Sequence, residues 1–232
     1  LQKLKQQSSH KTNIGVVSVS GDVKVPGEYP LVDNASVKCW GAGANGQLGY
    51  GDQNSLGDGP GEMGNALAAV SLGTGRTVKA LSSGDAHTCA ILDNNSVKCW
   101  GGNGNGRLGY GDTDDRGDTS GEMGDALSTV LLGTGRTANS ISSGAAHTCV
   151  ILDSNEVKCW GNGASGRLGY GATTSLGDAS GEMGDALAVV DLGTSRTAKA
   201  IKAGDAHTCA VLDNFTVKCW GSGSNGRLGT GA

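Results

Sequence analysis

The tetrapeptide Val-Lys-Cys-Trp occurs four times along this chain at a constant interval. Its copies begin at Val37, Val97, Val157 and Val217, so that each copy starts 60 residues after the last (97 − 37). A fixed period of this size is typical of supersecondary units that stack on one another and bury a shared core, as in propellers and solenoids. The repeat therefore constrains the fold more than the length does.

Two further motifs recur with the same period. Gly-(Gln/Arg)-Leu-Gly begins at Gly46, Gly106, Gly166 and Gly226, and Gly-Glu-Met-Gly begins at Gly61, Gly121 and Gly181. The only helix-like run of the unit, residues 62–69, is short and contains a glycine, which argues against a helical solenoid. The 42 glycines follow no Gly-X-Y period, which excludes collagen. The array is therefore expected to be all-β.

Each unit contains segments that predict short strands. In the second unit these are residues 77–81, 87–92 and 96–100, and a fourth, outer strand is predicted at 69–72. Four antiparallel strands per unit is the usual content of a β-propeller blade. The sequence thus predicts four blades, forming a partial or open propeller or part of a larger ring.

The cysteines support this interpretation through the register of a hairpin. If residues 93–95 form a three-residue loop, Leu92 faces Ser96 and Cys89 faces Cys99. Residues that face each other directly have Cα atoms about 4.5–5.5 Å apart, which a disulfide can bridge. The alternative is that these cysteines are buried free thiols in a reducing compartment. The cysteines lack the Cys-x-x-Cys spacing of a zinc site, which argues against bound zinc. The predicted disulfides are Cys89–Cys99, Cys149–Cys159 and Cys209–Cys219.

The first unit, about residues 14–60, departs from this pattern. The same register places Tyr29 opposite Cys39 and puts Gly27 at the position of a repeated histidine. Cys39 is therefore predicted to be a free thiol, although residues 16–22 still resemble an inner strand. An atypical terminal repeat is expected at the end of an array.

Charge and hydropathy exclude several classes of protein. The formal net charge of −4 disfavours a generic nucleic-acid binder. No stretch approaches the roughly 18 consecutive apolar residues of a membrane helix, so that no membrane insertion is expected. Residues 1–13 form a polar, basic N-terminal tail before the propeller repeat domain at 14–232. Because the chain begins with leucine, we expect a processed product or a fragment.

The motifs together resemble the regulator of chromosome condensation repeat. The resemblance rests on Gly-x-x-His-Thr at 84–88, Val-x-x-Trp-Gly at 97–101 and Asn-Gly-Arg-Leu-Gly at 105–109, each recurring in the later units. It implies a propeller, which has seven blades in most members of that family. With four units here, further blades lie outside the chain, the arc stays open, or two copies close one ring as a homodimer.

The resemblance also implies functions. The best-known family activity is nucleotide exchange on a nuclear small GTPase, with docking on chromatin. The cysteine pairs look instead like those of secreted members, and disulfides persist in oxidising compartments. We therefore expect an extracellular, periplasmic or organelle-lumen location, and a non-catalytic protein-binding scaffold or a peripheral subunit of a larger multi-subunit assembly. A glycan-binding propeller and a guanine nucleotide exchange factor-like regulator are the alternatives.

Repetition argues against a catalytic centre and against a cofactor. A histidine that recurs at one strand position is expected to be structural, with a ring hydrogen bond to the backbone, and a periodic tryptophan is expected to pack between blades rather than to stack on glycans. The sequence contains no Gly-x-Ser-x-Gly elbow, Walker loop or His-Glu-x-x-His helix. The structural repeat residues are His87, His147, His207, Trp40, Trp100, Trp160 and Trp220.

The acidic, methionine-bearing loops are candidate interaction sites. Their carboxylates match no calcium loop in spacing, so that turn formation and capping are the expected roles, and no metal site is predicted. Exposed methionine suits adaptable binding, whereas packing of each loop on its own blade is the alternative. The candidate residues are Glu62, Met63, Glu122, Met123, Glu182 and Met183.

Overall fold

The computed structural model describes residues 16–20 and 36–231, and these residues are almost entirely strands and turns. They form one two-stranded sheet, blade 1, and three three-stranded sheets, blades 2 to 4. No helical segment of the described part is long and apolar enough to cross a membrane. Blade 1 contains β1 (Val16–Ser20) and β2 (Ser36–Trp40); blade 2 contains β3 (Val78–Ser83), β4 (His87–Leu92) and β5 (Val97–Gly101); blade 3 contains β6 (Ala138–Ser143), β7 (His147–Leu152) and β8 (Val157–Gly161); blade 4 contains β9 (Ala198–Ala203), β10 (His207–Leu212) and β11 (Val217–Gly221).

The second and third strands of blades 2 to 4 form hairpins in the register that the sequence predicts. In blade 2, Cys89 faces Cys99, and the N–H of Leu92 donates to the carbonyl of Ser96 at 2.9 Å. Asn95 closes the three-residue loop with a φ of 62°, the left-handed conformation that such loops require and that asparagine tolerates. Disulfides join the facing cysteines in all three blades, with Cα atoms 4.0–4.1 Å apart.

The fourth, outer strand predicted at residues 69–72 is wrong. This segment is extended but forms isolated backbone bonds rather than a ladder: the N–H of Val70 donates to the carbonyl of Val37 at 2.8 Å, and the N–H of Gly124 donates to the carbonyl of Ser71 at 3.0 Å. Gly73, with a φ of 119°, ends the extended run directly afterwards. The alternation that suggested a strand instead reflects burial of Val70 and Leu72. Blades 2 to 4 are therefore three-stranded sheets.

Neighbouring blades bury a core between them. We call the face of a blade that carries its disulfide the front face, and the face that meets the preceding blade the back face. The front face of blade 2, with Ile91 and Val97, packs on Ile141, Val150 and Trp160 from the back face of blade 3. Equivalent clusters join blade 1 to blade 2 and blade 3 to blade 4. Each core is thus shared by two units, as in other repeat arrays.

Blade 1 differs from the others in strand direction. β1 and β2 pair in parallel, with Val19 in register with Cys39, so that the predicted antiparallel pairing is wrong for this blade. Cys39 is a buried free thiol whose pKa is raised by burial to about 12. The positions of Tyr29, Gly27 and the tail 1–13 lie outside the described residues.

Candidate interaction surface

The repeated histidines form part of a buried ladder that joins successive blades. His87 Nε2 lies 2.9 Å from Thr148 Oγ1, and His147 Nε2 lies 2.9 Å from Thr208 Oγ1. The hydroxyl of Thr148 donates its one hydrogen to the carbonyl of Arg107, so that it must accept from the imidazole N–H. Burial lowers the pKa of His87 and His147 to about 3, which keeps both rings neutral. The histidines therefore bond to threonine rather than to the predicted backbone group.

The tryptophans also lie between blades. Trp100 and Trp160 are completely buried, and each indole N–H donates to a backbone carbonyl of the preceding unit at 3.0 Å. Trp40 and Trp220, in the first and last units, are half-buried. The two interior tryptophans cannot stack on a glycan, because no face of either ring reaches solvent.

The three acidic candidates close their own loops. Glu62 Oε2 accepts from the backbone N–H groups of Gly57 and Gly59 at 2.7 and 2.9 Å. The hydrogen bonds from Gly59 and Gly57 hold the pKa of Glu62 below its ordinary value. Glu122 and Glu182 accept equivalent backbone bonds. Each of these carboxylates thus accepts hydrogen bonds from the backbone of its own loop. In the described part of the chain, no cluster of His, Cys, Asp or Glu could hold a metal ion.

Each methionine-bearing loop accepts a bond from a lysine of its own blade, and the loops of the second and third units also pack on the preceding unit. We call residues 57–64, 117–124 and 177–184 the Met loops, and residues 46–51, 106–111, 166–171 and 226–231 the straps. The N–H of Gly51 donates to the carbonyl of Gly117 at 3.1 Å, and that of Gly111 to Gly177 at 3.0 Å, so that a strap holds the next Met loop. Met123 and Met183 are half-buried there, whereas Met63 is 41% exposed.

A cleft of about 720 Å³ lies at the outer edge of blade 2. Four of its lining residues, Arg116, Ser128, Thr129 and Leu131, differ from their counterparts in the first and third units. Arg116 occupies a position that is leucine in the first and third units, and Leu131 occupies one that is Ser71 in the first unit and Asp191 in the third. The recurring motifs do not indicate this site, because its distinguishing residues are those that do not recur; such departures from the repeat are the sequence signal for it.

The groups in this cleft are held in fixed positions. Arg116 pairs with Asp112 at 2.8 Å, and its guanidinium lies 5.6 Å from the centroid of the Tyr110 ring. Lys98 is buried at the base and donates to the carbonyls of Leu72 and Gly124. Leu131, at the rim, is 67% exposed. The cleft therefore offers a positioned cation beside an exposed aliphatic side chain.

Comparison with known proteins relates these units to one family. The model of the "Regulator of chromosome condensation (RCC1) repeat" matches residues 78–107, 139–167 and 198–227. The ultraviolet-B receptor UVR8 of Arabidopsis thaliana is 35% identical over 157 residues, which cover 67% of this chain and 32% of the receptor. The E3 ubiquitin-protein ligase HERC2 of Homo sapiens is 29% identical over 202 residues, 87% of this chain and 4% of the ligase. The chain thus spans a third or less of these two relatives.

Solved structures give the same fold. Yeast RCC1 (Prp20), in its complex with Kap60, superposes with a TM-score of 0.59 at 21% identity, over 83% of this chain and 41% of that one. Human WBSCR16 superposes with a TM-score of 0.51 at 16% identity, over 75% and 39%. The repeated strands, the inter-blade cores and these matches agree. The chain belongs to the family of β-propeller proteins built from regulator of chromosome condensation repeats.

Proposed function

We propose that this chain is a non-catalytic protein-binding module that works in an oxidising compartment, and that the cleft at blade 2 receives its partner. The observation that carries this proposal is that Arg116 and Leu131, which depart from a near-uniform array, line one cleft. Repeat scaffolds commonly bind through residues that vary on a constant frame. Among the similar proteins, Prp20 was solved bound to Kap60 and was studied for binding to Gsp1p and histones, which is consistent with a binding role.

The cleft chemistry suits an apolar side chain next to a carboxylate. Leu131 supplies an exposed aliphatic contact, and Arg116 supplies a cation whose geometry is set by Asp112 and Tyr110. Anchoring side chains in desolvated pockets dominate the energy of most protein interfaces. A partner segment that pairs such an anchor with Asp or Glu fits this surface best, and a subunit of a larger assembly is one source of it.

Site-specific photo-crosslinking tests the cleft. A benzophenone amino acid replaces Leu131 in one variant and the exposed Ser71, the equivalent position of the preceding unit, in a control. We expect a discrete cross-linked product, identified by mass spectrometry, from position 131 alone. Leu131→Asp, without the photo-reactive residue, should weaken binding of the partner identified in this way at least about tenfold, while Ser71→Asp leaves that binding unchanged. Equal products from both positions would contradict the assignment of the cleft.

The oxidising compartment is proposed from the three disulfides, since such bonds persist outside the reducing cytosol. Natively produced protein is denatured and alkylated without reductant, and its mass is measured. One modified cysteine, Cys39, is expected, whereas seven would remove the argument for this compartment. Graded reduction should then open Cys209–Cys219 first, because both its sulfurs lie on half-buried residues and the other two pairs are completely buried.

A further inference from the structure

The hairpin loops of blades 2 and 4 contain the tripeptide Asn-x-Ser/Thr. The two copies are Asn94-Asn95-Ser96 and Asn214-Phe215-Thr216. This tripeptide, with any residue except proline in the middle, is the acceptor sequence for N-linked glycosylation, which attaches a bulky sugar to a surface asparagine of a secreted protein. A third copy, at residues 34–36, begins outside the described residues.

The asparagine and the hydroxyl of each tripeptide contact each other at the tip of the hairpin. Ser96 Oγ donates to Asn94 Oδ1, and Thr216 Oγ1 donates to Asn214 Oδ1, both at 2.7 Å. The backbone N–H of the hydroxyl residue donates to the same oxygen, at 3.1 Å in blade 2 and 3.2 Å in blade 4. The amide nitrogen Nδ2 of both asparagines donates to no described residue. A sugar can therefore replace one hydrogen of that nitrogen without breaking a hydrogen bond of the described chain.

Asn94 is accessible even with the next blade in place. It is exposed, whereas the residue that follows it, Asn95, accepts the backbone N–H of Ala138 from blade 3 at 3.0 Å. The exposure of Asn94 therefore does not come from a missing neighbour. Asn214 is exposed at the equivalent position of blade 4.

Blade 3 shows that the hairpin closes without this tripeptide. Its loop is Ser154-Asn155-Glu156, in which Ser154 Oγ donates to Glu156 Oε2 at 2.8 Å. The strands keep the same register, and the middle residue keeps a left-handed φ of 64°, against 62° in blade 2. Asparagine and the hydroxyl are thus present together in blades 2 and 4 and absent together in blade 3. Turn formation accounts for an asparagine at the first position, but blade 3 shows that it does not require this pairing.

We propose that Asn94 and Asn214 carry N-linked glycans. The proposal rests on the oxidising compartment proposed above, and it narrows that compartment to a secretory lumen that contains an oligosaccharide linked to a lipid pyrophosphate. In the transfer, a bond forms between Nδ2 of the asparagine and the anomeric carbon of the first sugar. The bond from that carbon to the pyrophosphate oxygen breaks, and the lipid pyrophosphate leaves with the electron pair. Nδ2 loses one proton to a base of the transferring enzyme, so that nothing is oxidised or reduced.

Peptide mapping of the natively produced protein tests this proposal. The digest is treated with peptide-N-glycosidase in heavy-oxygen water, which converts a glycosylated asparagine to an aspartate that carries the heavy oxygen. We expect this label at positions 94 and 214, and none at Asn155, which lies in the same type of loop without the tripeptide. A digest kept in heavy-oxygen water without the enzyme measures spontaneous deamidation, which is subtracted.

Variants produced in the same host separate the tripeptide from the asparagine alone. Ser96→Ala should abolish the label at Asn94 and leave the label at Asn214 unchanged, and Thr216→Ala should do the reverse. Ser96→Thr should keep the label, because it keeps the hydroxyl. The paired substitution Ser154→Asn with Glu156→Thr gives blade 3 the same tripeptide and should add a label at position 154. Retention of the three disulfides verifies that each variant is folded.

Alkylation without reductant, measured on the same protein, separates this proposal from the one on which it rests. One reactive thiol together with unmodified Asn94 and Asn214 would overturn the glycosylation proposal and leave the oxidising compartment in place. Seven reactive thiols with both asparagines unmodified would overturn both proposals. A label at Asn94 that persists in Ser96→Ala would also overturn the glycosylation proposal, because the hydroxyl would then play no part in recognition.

Discussion

Blades 3 and 4 have the same strand register and share their repeated cysteines, histidine and tryptophan, yet they differ in burial. In blade 3, Val157 and Trp160 are completely buried; in blade 4, Val217 is 61% exposed and Trp220 is half-buried. The hairpins pair residue for residue in both. Local sequence thus determines the strands and their register, whereas the neighbouring blade determines how much of each side chain leaves water. The free energy of unfolding of such an array is approximately a sum of two contributions, the stability of each repeat by itself and the stability of each interface between neighbouring repeats.

The two blades differ at ten of the 24 positions that align 138–161 with 198–221, and the differences lie on both faces. Ser142 of blade 3 accepts the N–H of Ala203 from the next blade at 3.0 Å, and its counterpart in blade 4 is Lys202, which has no acceptor to offer. Phe215 occupies the hairpin position of Asn155. Blade 4 therefore lacks the side-chain acceptor that blade 3 offers to the next blade.

The largest effect that separates the two blades is expected at their tryptophans. Trp160→Ala removes a fully buried side chain and should lower the free energy of unfolding by about 3–5 kcal/mol. Trp220→Ala should cost less, because this side chain is only partly buried. Urea unfolding followed by circular dichroism, at dilutions where the protein is monomeric, measures both. If both substitutions lowered the free energy of unfolding equally, burial by the neighbouring blade would not determine how much each tryptophan stabilises the protein.

A smaller effect concerns pH and the buried histidine of blade 3. Burial lowers the pKa of His147 to about 3, whereas the unfolded chain titrates near 6.5. The unfolded state therefore binds the proton first, and the free energy of unfolding falls as the pH drops below 6.5. Between pH 6.5 and 5 this histidine should account for a loss of about 2 kcal/mol.

His147→Gln tests this dependence, since the glutamine amide still donates to Thr208 but does not titrate in this range. The variant should lose less stability than the wild type over the same pH interval, in urea unfolding at each pH. His87→Gln is the matched variant in blade 2 and should behave alike. An unchanged pH slope in both variants would show that the histidines are not buried as neutral rings.

The features that sequence predicted are those encoded within a few residues. Cys89 and Cys99 face each other because a short loop sets their register, and both lie in one hairpin. The hydrogen bond of His87 to Thr148 joins residues 61 positions apart, so that no local pattern specifies it. The cleft at blade 2 also needs distant segments, although Arg116 was visible as a departure from the repeat. Residues 69–72 were predicted to be a strand because apolar and polar residues alternate along them. An extended segment that packs one side on a core shows the same alternation as a strand paired in a sheet.

The smallest effect concerns the hairpin tips, where the two blades differ by one residue in the same conformation. Phe215 has a φ of 65° and Asn155 a φ of 64°; asparagine tolerates this left-handed region, whereas a bulky side chain is strained there. The contact of Lys199 with the Phe215 ring, at 4.7 Å, is exposed and offsets only part of that strain. Phe215→Asn should therefore raise the free energy of unfolding of the monomer by about 1 kcal/mol, and Asn155→Phe should lower it by a similar amount. Thermal unfolding of the two reciprocal variants measures both signs. A loss of stability in Phe215→Asn would mean that the ring stabilises blade 4 in spite of its exposure and its left-handed backbone.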